Sequence, residues 1–576
     1  KGRTYSFAAN FMPILDADTE FACKWIALSD AQVNEGIRDP IVAYEYMNRY
    51  YVVEGNKRVS VLKYFKADSI VANVTRKIPK YSEDEDVKLY YEYMKFNQIS
   101  GLNNIEFSKI GMVDKLLALM GSTAIWDADT RMEFNSLVNH FTKAYEFRGG
   151  RKLPIRVGDA LTAFINVYGY NTVLGMSDDE LSLNIVKCWN EFVMLTEKQS
   201  VGLVMDPLAA EERKGRNIFS YFMPSSAKKF TVAFLYPKSP DTSDWIYAHD
   251  LGRNYLEETF PDQMKTICVN DVTEERTEQV LNDVIRQGAD IIFEVAPQMM
   301  KDSLKVAVDH PDVKILNCSL NTSHKYIRTY YARMYEAKFL SGMIAGALAE
   351  NDRIAYIADY PIYGMIANIN AFALGASFTN PRARIYLAWS TSENYDRERF
   401  LKDNNIQVVS DQDMITPRDP GRQFGLYECS EDGRKLNLVM PLWNWGVFYE
   451  KMIQSILAGS YQSEENSEGR ALNYWWGMSA GVIDLICSKN VPTGVKRLVD
   501  HLKSDIKKGD IVPFYGEIRA QDGTLKNKKD KAMKPEAIME MDWLTDNVIG
   551  EIPTMGELRA EARPVVQIKG VEEKMK

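Results

Sequence analysis

Short hydrophobic runs alternate with amphipathic stretches along the second half of the chain, beginning at Lys229. The runs have the length and the β-branched, aromatic character of buried strands, whereas the amphipathic stretches have the helical period. The predicted strands cover residues 230–235, 265–269, 290–295 and 314–318, and the predicted helices between them cover 244–259, 276–287 and 297–309. This alternation predicts a parallel sheet with helices on both faces.

A second series of the same kind follows the first. A long helix over 331–349 leads to predicted strands at 354–358, 384–388 and 407–409, with helices at 362–377 and 394–402. Two βα series of similar size predict an α/β fold with two lobes. Ligands of parallel sheets bind beyond the carboxyl ends of the strands, so two facing lobes should enclose one cleft.

The residues before Lys229 follow two other patterns. Residues 36–75 combine short strands at 41–44, 50–54 and 70–74 with a helix at 57–65, which predicts a small α+β domain. Helical periods then dominate, at 87–96, 109–120, 132–147, 157–167 and 180–196. We therefore predict three domains: residues 1–80, a helical domain at 81–227, and the two-lobed domain at 228–576.

Composition narrows the classes of protein to consider. The chain has 576 residues, of which 45% are apolar and 26% charged, as expected for several folded domains. Its net charge of -9 gives no overall attraction to nucleic acid, although a local basic patch could still bind it. Six scattered cysteines, without a CxxC pair, favour free thiols over a metal site or disulfides.

Apolar runs in the sequence indicate the cellular location. No apolar run approaches the roughly 18 residues of a membrane-spanning helix, and the first residues lack the apolar core of a signal peptide. We expect a cytoplasmic protein. The alternative is a periplasmic or cell-surface lipoprotein whose leader precedes Lys1.

Aromatic and polar side chains cluster where the predicted strands end. Aromatic faces paired with carboxylates and amides suit a flat heteroaromatic ring, which stacks on its faces and hydrogen-bonds at its edge. A nucleobase or nucleoside fits this description. The candidate ligand-binding residues are Asp244, Trp245, Phe293, Glu294, Tyr331, Asp359, Tyr360, Trp389, Asp411, Gln412, Trp443 and Trp445. Trp445 could equally be buried by the helix it begins.

A different candidate site lies in the first domain, where the strand over 50–54 runs into Gly55, Asn56, Lys57 and Arg58. Free backbone N–H groups beside two cations could bind an anion such as a nucleotide phosphate. The alternative interpretation is an ordinary strand-to-helix turn with a solvated basic face.

Two resemblances to known families add to this picture. The run VVEGNKRVSVLKYF, preceded by RDPIVAYEY, resembles the ParB/sulfiredoxin-like nucleotide-binding superfamily. That likeness covers about 45 residues and implies that the turn from Gly55 to Arg58 approaches nucleotide phosphates.

The second resemblance is longer. It is carried by SDWIYAHDLGRNYLEETFP, TYYARMYEAKFLSGMIAGALAE, NWGVFYEKMIQSILAG and YWWGMSAGVIDL, which look like the basic membrane protein (BMP) family of solute-binding proteins. It implies a type I periplasmic-binding-protein-like fold and a purine receptor. By position, Trp245, Phe293, Trp389 and Asp411 would line the purine cleft. Asp-Trp stands where a Phe-Asn pair often follows the first strand, which favours recognition of the base over the ribose.

We therefore predict a receptor that binds a purine base or nucleoside and acts as a cytosolic regulator. Nucleophile-elbow, P-loop and HExxH motifs are absent from the sequence, which favours binding without catalysis and predicts neither a metal nor a cofactor. One alternative is the extracytoplasmic component of an ABC importer, which would bring a membrane partner. Another is a nucleotide-binding or hydrolysing enzyme, acting through the first domain. Nucleic acid or a protein could be the partner of the N-terminal region.

Overall fold

The computed structural model describes residues 5–67, 69–122, 124–196, 201–207, 229–320, 324–414, 417–418, 421–430, 433–457, 461 and 471–569. The chain divides into two compact units, one of residues 1–165 with 169–182 and one of residues 166–168 with 183–576. Within the described ranges, no helix has both the length and the apolar character that crossing a bilayer requires.

The first unit begins with helix Glu20–Asn34 and a three-stranded sheet. The sheet consists of β1 (Ile41–Tyr46), β2 (Arg49–Glu54) and β3 (Ala72–Arg76), with helix Asn56–Tyr64 between β2 and β3. β1 is central, antiparallel to β2 and parallel to β3. The strands and the helix predicted for residues 36–75 are thereby confirmed.

Helices follow as the periodicity predicts. Their bounds are Glu85–Ser100, Met112–Leu119, Ala128–Phe147, Val157–Tyr168, Tyr170–Leu174, Asp178–Lys187 and Trp189–Met194. The single helix predicted over 180–196 was wrong, because it is two helices that meet at buried Cys188. The φ and ψ of Cys188, -78° and 0°, are those of a turn residue, which interrupts the helical ladder.

The second unit contains two lobes. The sheet of the first lobe has seven parallel strands in the order β4-β15-β9-β8-β7-β5-β6. The strands are β4 (Val201–Val204), β5 (Phe230–Leu235), β6 (Met264–Val269), β7 (Ile291–Glu294), β8 (Lys314–Cys318), β9 (Ile327–Ala332) and β15 (Ala471–Trp476). Helices Asp244–Thr259, Thr277–Arg286, Met300–Asp309 and Trp445–Leu457 accompany this sheet.

Three strands of this sheet were not predicted from the sequence. β4 has only four residues, and β15 lies far from the βα series along the chain. Residues 331 and 332 belong to β9 instead of the predicted long helix, which spans Tyr335–Leu348. The run IRTYYA of β9 is rich in β-branched and aromatic residues, a strand composition that the neighbouring helical pattern obscured.

The sheet of the second lobe has the order β16-β14-β13-β12-β10-β11-β19. Its strands are β10 (Arg353–Ala358), β11 (Arg384–Trp389), β12 (Val408–Ser410), β13 (Leu426–Cys429), β14 (Lys435–Trp443), β16 (Ile483–Cys487) and β19 (Val548–Ile549). Its helices are Tyr335–Leu348, Met365–Thr379, Arg397–Asp403, Thr493–Lys508, Pro535–Met539 and Arg563–Lys569, and a hairpin joins β17 (Ile518–Arg519) to β18 (Leu525–Asn527). The sheet is mixed, since β12, β13, β14 and β16 pair antiparallel, whereas the sequence predicted parallel strands alone.

Helices Tyr335–Leu348 and Met365–Thr379 pack backbone to backbone. A Cβ on Gly342 would lie 2.0 Å from the carbonyl oxygen of Phe372, and one on Gly375 would lie 2.0 Å from that of Phe339. Glycine is therefore required at both contacts. This packing fixes the position of the helix that begins at Tyr335, directly after the chain passes from the first lobe to the second.

Candidate ligand-binding cleft

Within the described residues, the chain passes between the two lobes at three neighbouring places. β9 leads into helix Tyr335–Leu348, β14 leads into helix Trp445–Leu457, and β15 leads into β16. Hydrogen bonds join these crossovers: Arg333 N donates to Trp476 O at 2.9 Å, and Asn444 N donates to Val482 O at 2.8 Å. Two lobes joined by adjacent, bonded crossovers can close on each other about one hinge.

An aromatic wall lines the cleft beside this hinge. It consists of Trp245, Tyr331 and Trp443, three partly exposed rings that come from three separate elements. The ring of Trp245 lies 5.9 Å from that of Tyr331 and 5.2 Å from that of Trp443. Trp245 Nε1 donates to Val295 O at 2.9 Å, which fixes the orientation of the indole. The wall therefore offers preformed faces for a flat ring.

Buried rings support the wall from behind. Trp445 is 1% exposed and stacks on Trp443 at 5.5 Å and on the buried ring of His249 at 4.3 Å. Phe293 is fully buried and stacks on Phe234. The structure thus places both residues in the core instead of on the cleft surface: Phe293 because β7 belongs to a sheet covered on both faces, and Trp445 because it lies on the buried face of helix Trp445–Leu457.

Carboxylates from both lobes approach each other across the cleft. Asp244, in the first turn of helix Asp244–Thr259, belongs to the first lobe, and Asp359, directly after β10, belongs to the second. Burial, and after it the nearby carboxylate of Asp359, raise the pKa of Asp244 to about 6. Burial also raises the pKa of Asp359, although the hydroxyl of Ser390 donates to this carboxylate and partly offsets the effect.

Lys338 is a buried cation that the sequence interpretation missed. It lies in helix Tyr335–Leu348, is 3% exposed, and donates to Asp413 Oδ1 while its ammonium lies 5.3 Å from the ring centre of Tyr356. Burial lowers the pKa of Lys338, but Asp413 outweighs this effect and raises it above the usual value. Lys338 directly precedes the apolar run FLSGMIAGAL on the same helix, which was a usable signal, since a buried cation needs a partner.

A second buried ion pair holds the end of β12. Arg397 Nη2 lies 2.8 Å from Asp411 Oδ2, and the hydroxyl of Tyr427 donates to the same oxygen at 3.1 Å. Burial raises the pKa of Asp411, and Arg397 opposes this. Gln412 follows with an exposed side chain, and its backbone N–H donates to Asp411 Oδ1 at 2.9 Å. The carboxylate of Asp411 therefore already has partners within the second lobe.

Glu294 differs from the other predicted ligand residues because its carboxyl group is completely buried inside the first lobe. Ser303 Oγ donates to it, as does Asn317 Nδ2 at 2.8 Å. Burial raises the pKa of Glu294 to about 7, and the two hydrogen bonds offset only part of that effect. Glu294 therefore forms hydrogen bonds inside the lobe instead of facing the cleft. It directly precedes Val295, whose carbonyl oxygen accepts the hydrogen bond from Trp245.

Trp389 also lies in the core. It is 5% exposed, and its Nε1 donates to Glu551 O at 2.8 Å, so the C-terminal segment covers the end of β11. Tyr360 remains partly exposed and packs against Leu558, Ala562 and Val566 of the same segment. Helix Arg563–Lys569 lies beside the turn Pro297–Met299 of the first lobe.

Residues 201–207, which precede the first βα series along the chain, also contact the hinge. Arg333, 5% exposed, donates to Trp475 O at 2.9 Å, Ser479 Oγ at 3.0 Å and Glu336 Oε1 at 2.6 Å. Its guanidinium also donates to Met205 O and lies 3.5 Å from Asp206 Oδ1. These two residues directly follow β4, the edge strand paired with β15.

The candidate anion turn of the first unit has internal partners. Gly55 has a φ of 97°, and a Cβ there would lie 2.6 Å from Ile41 Cγ2, so glycine is required. Asn56 begins helix Asn56–Tyr64. Arg58 Nη1 donates to Pro40 O at 2.8 Å, and the ammonium of Lys57 lies 4.8 Å from the ring centre of Phe21. Nucleotide binding at this turn stays a prediction.

The fold and the cleft together define the class: two α/β lobes joined at a hinge, with aromatic and charged groups between them, form the type I periplasmic-binding-protein architecture. Comparisons with known proteins agree with this class. Residues 229–415 match the Bmp family model, described as ABC transporter substrate-binding protein PnrA-like.

Two relatives match beyond that region. The chain is 27% identical over 339 residues to a purine-binding protein of Brucella abortus, a match that covers 57% of this chain and 95% of the relative. It is 24% identical over 344 residues to TsgA13 of Haloferax volcanii, named as an ABC transporter glucose-binding protein, covering 58% and 83%. A solved ABC transporter solute-binding protein from Conexibacter woesei is 15% identical with a TM-score of 0.38, covering 49% of this chain and 98% of that one. Both relatives are named for binding a solute and not for catalysis.

Proposed function

We propose that the cleft binds a purine base or nucleoside. The observation that carries this proposal is the wall of Trp245, Tyr331 and Trp443, together with the neighbouring carboxylates of Asp244 and Asp359. The rings suit the faces of a purine, and the carboxylates accept hydrogen bonds from N–H and O–H groups at its edge. The name of the Brucella relative supports the same ligand class.

The balance of charge argues against nucleotides. Around the cleft, the four carboxylates of Asp244, Asp359, Asp411 and Asp413 accompany two cations, Lys338 and Arg397, and both cations are already paired. A phosphate would enter a negative field without a free partner of opposite charge among these groups. We therefore expect the base or nucleoside to bind and the corresponding monophosphate to be excluded.

A sugar is the second candidate ligand. Sugars also stack on indole rings and donate hydrogen bonds to carboxylates, and the Haloferax relative is named for glucose. Titration calorimetry of the full chain against adenine, adenosine, guanosine, hypoxanthine, adenosine monophosphate and glucose separates these ligands. Micromolar or tighter binding of a base or nucleoside, with no heat from the monophosphate, supports the proposal. Heat from glucose alone would replace the purine with a sugar.

The protein acts, in this proposal, as a cytoplasmic regulator that transmits lobe closure to its N-terminal region. Support comes from the segment 201–207, because β4 completes the sheet of the first lobe and Met205 and Asp206 bind Arg333 at the hinge. Farther back, Lys325 N donates to Glu191 Oε1 at 2.8 Å, and Lys187 pairs with Asp309. Movement at the hinge can therefore pull on the chain that precedes the receptor.

Hydrogen exchange on the full chain tests this transmission. Binding of the purine that calorimetry identifies should slow exchange of the amides at 201–207, and Asp206→Asn should reduce that protection while leaving the purine affinity within about twofold. Asp283→Asn, which removes an exposed ion pair with Arg286, is the matched control and should change neither result. Tight purine binding without any change at 201–207 would leave a receptor that does not signal through this segment.

The descriptions of the family model and of the Haloferax relative suggest an alternative role, the binding component of an ABC importer. Fractionation of cells that express the complete gene discriminates between a cytoplasmic regulator and an importer component. Recovery from the cytoplasm supports the regulator, whereas recovery with the cell surface or periplasm supports the importer.

A further inference from the structure

One face of the sheet in the first unit is open and aromatic. Side chains alternate along β1, so that Ile41, Ala43 and Glu45 are buried on one face. Tyr44 and Tyr46 point to the other face, where they are 42% and 44% exposed. Exposed tyrosines on adjacent same-face positions of a central strand form a flat aromatic surface.

The neighbouring strands extend this surface. Tyr44 is paired with Tyr51 of β2 and Thr75 of β3, and Tyr46 is paired with Arg49. Paired residues share a face of the sheet. The ammonium of Lys77 lies 4.9 Å from the ring centre of Tyr44, which places this cation on the same face. We call this surface the tyrosine face; its residues are Tyr44, Tyr46, Arg49, Tyr51, Thr75 and Lys77.

The charge around the tyrosine face is opposite to that of the whole protein. Residues 36–81 contain nine lysines and arginines against four aspartates and glutamates, whereas the entire chain has a net charge of -9. Glu45 is one of the four acids, and it is buried and bound to Arg76 Nε at 2.7 Å. Glu45 and Arg76 therefore cancel, and the other charged residues of this range are eight cations and three acids.

We propose that the tyrosine face binds single-stranded nucleic acid. Bases of any sequence stack on exposed aromatic rings, while flanking cations neutralise the phosphates that follow them. Tyr44, Tyr46 and Tyr51 provide the rings, and Arg49 and Lys77 provide cations at the edge of those rings. This partner is distinct from the small ligand of the cleft, so the inference stands independently of the proposed receptor function.

Two other occupants fit the surface less well. A duplex hides its bases within the stack and is read by elements that enter a groove, which a flat three-stranded face does not do. A second copy of this chain would bring Arg49 and Lys77 against their equivalents in a region of net positive charge, which opposes association. The charge and the exposed rings together favour a polyanion with accessible bases.

Fluorescence anisotropy of the full chain with labelled twelve-nucleotide oligo-dT, oligo-U and a mixed-sequence duplex tests the proposal. At low salt we expect single strands to bind with a dissociation constant of about 10⁻⁶ to 10⁻⁴ M and to bind more tightly than the duplex. Tyr44→Ala and Tyr46→Ala should each weaken binding about 5- to 100-fold, whereas Tyr44→Phe, which keeps the ring, should stay within about twofold. The comparison of oligo-dT with oligo-U then identifies DNA or RNA as the preferred strand.

Further variants separate charge from stacking. Arg49→Gln should reduce the slope of log affinity against log salt by about 0.7, the value for one phosphate contact on a single strand. Tyr515→Ala removes a tyrosine that is 58% exposed in the other unit and should leave binding unchanged. The proposal is overturned if no single strand binds, if the duplex binds equally well, or if Tyr44→Phe is as damaging as Tyr44→Ala. A change in the sedimentation coefficient on Tyr44→Ala would overturn it too, by identifying an interface between copies.

Discussion

The two lobes supply different chemistry to the cleft. The first lobe presents rings, Trp245 and Tyr331, held by packing and by one indole hydrogen bond to Val295. The second lobe presents polar groups, in which Lys338 pairs with Asp413 from inside the lobe and Ser390 donates to Asp359. Rings are stabilised by burial of their own surface, whereas charges need a partner for each group that leaves water.

The two lobes should therefore contact a ligand at different stages of closure. A flat ligand can stack on Trp245 and Tyr331 of the first lobe while the lobes are open, whereas Trp443 ends β14 of the second lobe, next to the crossover. The carboxylates of the second lobe reach its edge only when the lobes approach, so their hydrogen bonds favour the closed form selectively. Affinity then depends mainly on the rings, and closure depends mainly on the acids.

The largest expected effect comes from breaking the buried ion pair of the second lobe. Lys338→Met should lower the free energy of unfolding by about 3 to 5 kcal/mol, because it leaves Asp413 partly buried without its cation. Urea denaturation of the full chain, followed by tryptophan fluorescence, measures the change.

Two controls accompany that experiment. Adding Asp413→Asn to Lys338→Met should recover part of the loss, since the uncompensated charge is removed. Lys496→Ala breaks an exposed pair with Asp500 and should cost less than about 1 kcal/mol. An equally small loss for Lys338→Met would mean that the second lobe does not depend on this pair.

The pH dependence of binding should report Asp244. Its pKa is raised from 3.8 to about 6, so between these values the folded protein holds more protons than the unfolded chain and its stability falls as the pH rises. Hydrogen-bond donation from a ligand needs the ionised carboxylate. Purine affinity should therefore weaken about fivefold between pH 6 and pH 5, as the ionised fraction of a group with this pKa does, and Asp244→Asn should remove this step. Calorimetry at several pH values measures it.

Glu294→Gln is the matched control for that titration. The pKa of Glu294 is raised to about 7, so this carboxyl also makes the folded protein less stable as the pH rises from 4.5 to 7. Because Glu294 is buried away from the cleft, its substitution should flatten the pH dependence of stability and leave the pH step of binding in place. Loss of the binding step in Glu294→Gln would contradict the assignment to Asp244.

The smallest expected effect is at the rim, where Arg418 of the second lobe lies 3.7 Å from Asp241 of the first. Both side chains are exposed, so Asp241→Asn should weaken ligand binding by less than about 1 kcal/mol, and high salt should abolish the difference. A larger effect, insensitive to salt, would show that closure depends on the rim more than on the cleft.

Regular alternation of strand and helix made the two-lobed fold predictable from the sequence. Local pattern also located Trp245, Tyr331, Trp443, Asp244 and Asp359 near strand ends, and the structure brings these residues to one cleft. Topology explains this placement, because strand ends of parallel sheets converge whatever their exact side-chain contacts, and ligand contact at these residues stays a prediction.

The errors have a common physical cause. Trp389 and Phe293 stand at strand ends, yet distant segments bury them: the backbone at Glu551 covers Trp389, and Phe234 stacks on Phe293. The pairing of Lys338 with Asp413 was missed because the two residues lie 75 positions apart. Contacts at such separations leave no local pattern, so burial at the site could not be read from the sequence.

Titration calorimetry that compares Trp245→Ala with Trp389→Ala tests the central claim most directly. Both variants remove an indole near a strand end, but only Trp245 belongs to the aromatic wall. We expect Trp245→Ala to weaken binding of adenine or adenosine by about 2 kcal/mol, roughly 30-fold, and Trp389→Ala to lower stability while the surviving folded protein keeps its affinity. Purine binding that is lost with Trp389 and indifferent to Trp245 would contradict the account and move the ligand to the second lobe.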